Sequence, residues 1–141
     1  MEKKEVKVEI TGFNSAEKGK VTTESRGFYY DKDSSEYVAF EEKDEEGNVV
    51  NSLIKISGNT LEITRKGNVT TKMFFKTGEK HAVDYLTPYG TFKMEIHTNS
   101  VSFYRGKEKI EVNVAYRMSV CEGPFEKYDV KICIYFLVTA D

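Results

Sequence analysis

Apolar and polar residues alternate along most of the chain with a period of two. Val6, Val8 and Ile10 are separated by Lys7 and Glu9, and Phe92, Met94 and Ile96 by Lys93 and Glu95. The longest run, Ile110, Val112, Val114, Tyr116, Met118 and Val120, keeps the alternation far beyond what a helix would tolerate. Each run reads as a strand with one face in a core and one in water. Between the runs stand "EEGN" (Glu45 to Asn48), "SGNT" (Ser57 to Thr60), "KGN" (Lys66 to Asn68), "TGEK" (Thr77 to Lys80), "RGK" (Arg105 to Lys107) and "CEGPF" (Cys121 to Phe125), at hairpin spacing. In "YLTPYGTFKMEIHT" (Tyr85 to Thr98), Pro88 presets φ and Gly90 accepts a positive φ, so "TPYG" is a reversal rather than a binding site.

About ten strands in meander order follow, with no helix beyond about two turns. Twist and the cost of two open edges favour closure, so the expected fold is all-β, a single antiparallel barrel of eight or more strands spanning residues 1–141. The even-numbered face of the C-terminal strands points inward. Tyr116, Met118, Tyr128, Ile132, Phe136, Met94 and Phe92 then form a bulky interior, which either fills the barrel or surrounds one small ligand. Matching the apolar faces of the last two strands, Lys109 to Val120 and Tyr128 to Val138, pairs Val120 with Tyr128, Tyr116 with Ile132 and Cys133 with Ala115. Cys121 and Cys133 are then about 20 Å apart, and both are expected as free thiols.

Composition narrows the function classes. In 141 residues, 21 basic side chains are balanced by 23 acidic ones, which offers no general attraction for a phosphate backbone, so no nucleic acid partner is expected. "MEKKEVKVEI" is too charged for a signal peptide and no later stretch reaches about 18 apolar residues, so a cytoplasmic protein without a membrane partner is expected. The acidic run Glu41 to Asn48 lacks the order of a calcium loop and reads as a solvated hairpin end. His81 and His97 are expected in solvent. No nucleophile elbow, phosphate loop or zinc-binding helix motif occurs, so neither a catalytic residue nor a cofactor or metal is assigned.

The stretches "GFYY" (Gly27 to Tyr30), "YVAFEE" (Tyr37 to Glu42), Leu61 to Thr98 and "IEVNVAYRM" (Ile110 to Met118) resemble the bacterial YwiB-like family of uncharacterised proteins. The most specific shared elements are Arg65, Gly67, Val69, Phe75, Gly78 and the reversal Thr87, Pro88, Tyr89, Gly90. The resemblance implies a calycin-type, lipocalin-like β-barrel of about eight strands and brings no established activity or site with it.

Within "LEITR", Leu61 and Ile63 mark the inward face and Arg65 shares it. An inward guanidinium needs a carboxylate, backbone carbonyls or an anionic ligand, unless it reaches solvent at the rim. One reading is a non-catalytic barrel in which Arg65 holds the head of a carboxylate-bearing amphiphile and Met94, Tyr116, Met118 and Phe136 surround its tail. The alternative is a filled barrel serving as an interaction or assembly module. On the outer face, Cys133, Tyr135 and Leu137, with Ala115, Asn113 and Glu111 as expected neighbours, make an apolar surface that fits a homodimer or a covering segment.

Overall fold

The computed structural model describes residues 2–14 and 19–137. Every regular element in them is a strand: β1 (Lys4–Asn14), β2 (Gly19–Lys32), β3 (Ser35–Lys43), β4 (Val49–Ser57), β5 (Thr60–Lys66), β6 (Thr71–Phe75), β7 (Lys80–Thr87), β8 (Gly90–Arg105), β9 (Lys109–Val120) and β10 (Glu126–Phe136). All pairings are antiparallel, in the order β6-β5-β4-β3-β2-β1-β10-β9-β8-β7. The first and last strands pair over nine residues, from Val6 with Phe136 to Asn14 with Tyr128. At the opposite side, β6 and β7 meet through one bridge, in which Thr70 and Leu86 exchange N–H···O=C bonds of 2.9 and 3.0 Å. The barrel is therefore a meander nearly closed at a thin seam.

Alternation selects the interior as expected. Val6, Val8, Val38, Ile54, Ile56, Leu61, Ile96, Val112, Ile132 and Ile134 are all at most 2 % exposed. Burying one such aliphatic side chain is worth about 1.5–3 kcal/mol, so these branched residues supply much of the folding drive. Asn99 is an extra residue where β8 shifts register between Thr98 and Ser100, and the inward parity passes from Met94, Ile96 and Thr98 to Val101 and Phe103. The "TPYG" segment is a reversal: Thr87 pairs with Gly90, whose φ is 134°, and the Thr87 hydroxyl donates to the Gly90 carbonyl at 2.9 Å.

The structure corrects the expected pairing of the last hairpin. Tyr116 faces Tyr128, Ile132 faces Val112 and Cys133 faces Glu111. The chain reverses on Cys121 and Glu122, both left-handed at φ 50° and 61°, with the Gly123 N–H on the Val120 carbonyl at 2.9 Å. The turn therefore precedes Gly123-Pro124, where the sequence suggested its centre, and β10 begins at Glu126 rather than Tyr128. An even slip keeps every side chain on its face, which is why the faces were right and the partners wrong. Cys121 now lies ten positions along β9 from the partner of Cys133, roughly 33 Å at ~3.3 Å per residue, and both cysteines are free.

Phe92 is a second correction. It has inward parity and faces Tyr85, but lies beyond the rim and is 41 % exposed.

Candidate functional site

Strand β3 sends Glu36, Val38, Phe40 and Glu42 to one face, which carries a carboxylate to each end of the interior. At the first end Arg105, the last residue of β8, forms an ion pair with Glu36. The Tyr29 hydroxyl donates to the other Glu36 oxygen at 2.7 Å, and its ring meets Phe136 edge-on at 5.1 Å. Acid, base and hydroxyl answer one another, and rings close the space behind them. Burial and the Glu36 carboxylate both push the Tyr29 hydroxyl upward from its ordinary pKa.

The second end is built differently. Arg65 on β5 lies opposite Ser52 on β4 and Thr71 on β6. Its Nη2 is 3.7 Å from Glu42 Oε1, close enough for attraction and too long for a hydrogen bond. Arg65 Nε, Glu42 Oε1 and Ser52 Oγ are all buried without a hydrogen-bond partner, as is Thr98 Oγ1 across the ladder from Tyr116. A buried polar atom left unsatisfied costs about 1–3 kcal/mol, so these atoms call for a hydrogen-bonding partner, water included.

Tyr116 lies on the interior side of β9, within reach of the Arg65 charge. Its ring packs against Phe75 at 5.0 Å and stacks on Tyr128 at 5.2 Å with 11° between the planes. Burial first, and the neighbouring Tyr128 second, push the Tyr116 hydroxyl up to about 12, while the Arg65 charge pulls it down. A tyrosine whose pKa is higher folded than unfolded binds more protons in the native state between those two values. Its contribution is complete below about pH 10 and is lost as the pH rises through about 12. Alkaline titration followed by tyrosinate absorbance should show a late class of tyrosines, and Tyr116→Phe should remove one member of it and flatten the loss of stability between pH 10 and 12.

Of the residues singled out from the sequence, Arg65 lies near enough to Tyr116 for its charge to act on that hydroxyl, while 43 % of the Arg65 side chain is exposed at the rim. Met118 follows Tyr116 on the same face of β9 and pairs with Ile96, while Met94 is buried two residues away on β8. Phe136 stands at the other end, against Tyr29. Glu42, Ser52 and Thr98 were missed. Glu42 corrects the expectation that the whole run Glu41 to Asn48 is solvated, since its side chain is only 17 % exposed. The signal was present: Glu42 continues the parity of Val38 and Phe40, and Ser52 that of Ile54 and Ile56.

His97 is more covered than expected, at 17 % side-chain exposure, with its ring 4.5 Å from Phe125 and Nε2 3.0 Å from Glu95. His81 pairs with Glu79 at 3.0 Å. Among the described residues no group of three or more His, Cys, Asp or Glu is placed to hold a metal ion, and no helix is long and apolar enough to cross a membrane.

Outside the barrel, the corrected register puts Glu111 beside Cys133 and Lys109 beside Tyr135, in place of Ala115 and Asn113. Cys133 is buried with its Sγ 3.8 Å from Glu111 Oε1. Lys131 and Lys109 reach the same carboxylate at 3.4 and 3.6 Å, and Lys7 Nζ lies 4.9 Å over the Tyr135 ring. Long polar side chains therefore lie over an apolar strand face.

A family model described as a domain of unknown function, DUF1934, matches residues 6–132. The chain belongs to this family. Within the DUF1934 match fall all the residues of both barrel ends except Phe136. The uncharacterized beta-barrel protein YwiB of Bacillus subtilis (strain 168) is 29% identical to this chain over 94 residues, an alignment covering 67% of the chain and 66% of that relative. The crystal structure of the ywiB protein from Bacillus subtilis superposes with a TM-score of 0.82 at 21% sequence identity, covering 96% of this chain and 94% of that one. This DUF1934 chain thus shares its all-β barrel with a solved structure.

Proposed function

We propose that the barrel is a non-catalytic binding module that takes a small amphiphilic molecule at the Arg65 end. The observation that carries this reading is the contrast between the two ends: Glu36, Arg105 and Tyr29 bond one another, whereas Arg65 Nε, Glu42 Oε1 and Ser52 Oγ are buried without a hydrogen-bond partner. The apolar part of the ligand lies toward Tyr116 and Met118, and because Tyr116 fills the space below, the ligand enters shallowly.

Native mass spectrometry of freshly purified protein tests this. The expected result is a co-purified small molecule on the wild type and on Arg105→Met, lost from a folded Arg65→Met variant. Wild-type protein that carries no bound mass, and that binds a neutral fluorescent amphiphile no better than Arg65→Met does, would overturn the reading.

A second reading, an interaction module with a filled barrel, is favoured by the packing of Tyr116 between Phe75 and Tyr128. Its contact would use the outer face at Tyr135 and Leu137, beside the buried Cys133, in a homodimer. Light scattering at micromolar concentration should then give a dimer mass that Tyr135→Glu converts to a monomer. A monomeric wild type would leave that face covered by its own Lys7, Glu111 and Lys131.

A further inference from the structure

Resting on the ligand-binding reading above, we infer that the group held at the Arg65 mouth is neutral and presents an acceptor and a donor on one edge, as a carboxamide or lactam does. The three atoms without a hydrogen-bond partner have different chemistry. Arg65 Nε–H can only donate, the Glu42 carboxylate oxygen only accepts, and the Ser52 hydroxyl does either. They stand together: Ser52 and Arg65 are direct partners across the β4–β5 ladder, and Glu42 Oε1 is 3.7 Å from the guanidinium.

A carboxylate head would satisfy the Nε–H but bring a second anion against Glu42 in a partly desolvated site, where like charges repel strongly. An ammonium head would satisfy Glu42 and meet the Arg65 charge. The place of a counter-ion beside Arg65 is already taken by the chain's own acid, and the pair as a whole is neutral. An amide edge has no such conflict: its carbonyl accepts from Arg65 Nε–H, its N–H donates to Glu42 Oε1, and Ser52 serves whichever atom is left. Sites built from fixed donors and acceptors discriminate sharply, because the wrong ligand leaves a buried group unpaired.

The test is an NMR titration of the isotope-labelled full chain with hexanamide, hexanoate and hexylammonium, following the amides of Ser52, Arg65 and Tyr116. Hexanamide should shift these resonances at concentrations at least tenfold lower than the two charged probes. In Glu42→Gln the repelling charge is gone, and hexanoate should gain at least tenfold. Arg65→Lys keeps the positive charge but removes the Nε–H, and should weaken hexanamide about tenfold. It serves as the second variant if Glu42→Gln does not fold. A wild-type preference for hexanoate would overturn the amide assignment and leave the ligand-binding reading standing. If no probe shifts these resonances, the amide assignment and the ligand-binding reading both fall.

Discussion

Gly27→Ala should lower the melting temperature by about 10 °C, corresponding to roughly 3 kcal/mol in a domain of this size. A Cβ at Gly27 would stand 2.2 Å from the Ala39 carbonyl oxygen and 2.8 Å from Phe40 Cβ. The first of these is backbone and cannot swing aside. Gly27 occupies the point where β2 first meets β3: residues from Gly27 onward pair with β3, whereas the preceding part of β2 pairs with β1 alone. The chain needs close approach there, which a strand glycine permits. Gly12→Ala is the matched control, because a Cβ there meets nothing within 4 Å. Thermal unfolding followed by circular dichroism checks both. An unchanged midpoint for Gly27→Ala would show that β2 and β3 can separate at little cost, and the mouth beside them would be softer than its packing implies.

The second large effect is expected at Tyr116. Removing this ring in Tyr116→Ala leaves Phe75 and Tyr128 facing a void, and large-to-small changes of this kind cost about 3–5 kcal/mol. The same variant should bind an aromatic probe such as indole, since an interior cavity lined by rings accepts an apolar guest, and that guest should return part of the lost stability in proportion to its occupancy. Denaturant unfolding with and without indole measures both. A variant destabilised as stated yet indifferent to indole would mean that the barrel collapses onto the missing ring, which favours the filled-interior reading.

How much of this was legible follows from what period two can encode. It separates inside from outside, and so it identified the even face of β9 and β10 as core and Cys121 and Cys133 as unable to meet, and it put Arg65 on the interior parity of β5, where the side chain stands 43 % exposed at the rim. It is blind to slips of an even number of residues, so the β9–β10 register stood four positions off until the left-handed turn at Cys121 and Glu122 located the reversal. It also says nothing of where a strand leaves the barrel, and Phe92 has the right parity at the wrong height. The mouth was half visible. Arg65 stood out because a charge interrupts an apolar series, whereas Glu42 was absorbed into a run of acids whose other members do face water. Ser52 and Thr98 are small and neutral and leave no mark in a hydropathy pattern, although each shares the parity of buried neighbours. The β8 irregularity at Asn99 has no compositional signal beyond the end of one alternating run.

The pairing of β1 with β10 also governs when the protein can become itself during synthesis. A ribosome delivers β1 first and β10 last, yet the two are neighbours along nine residue pairs. Until the last strand emerges, the nascent chain carries β1 with one edge paired to β2 and the other bare, while β2 to β9 can form their hairpins as they appear. Closure must bridge nearly the whole chain, the most costly contact in entropy and the one least available to a growing polypeptide. The finished barrel therefore forms after translation has passed β10, and the bare edge of β1 is where a newly made chain is most open to joining another strand by mistake.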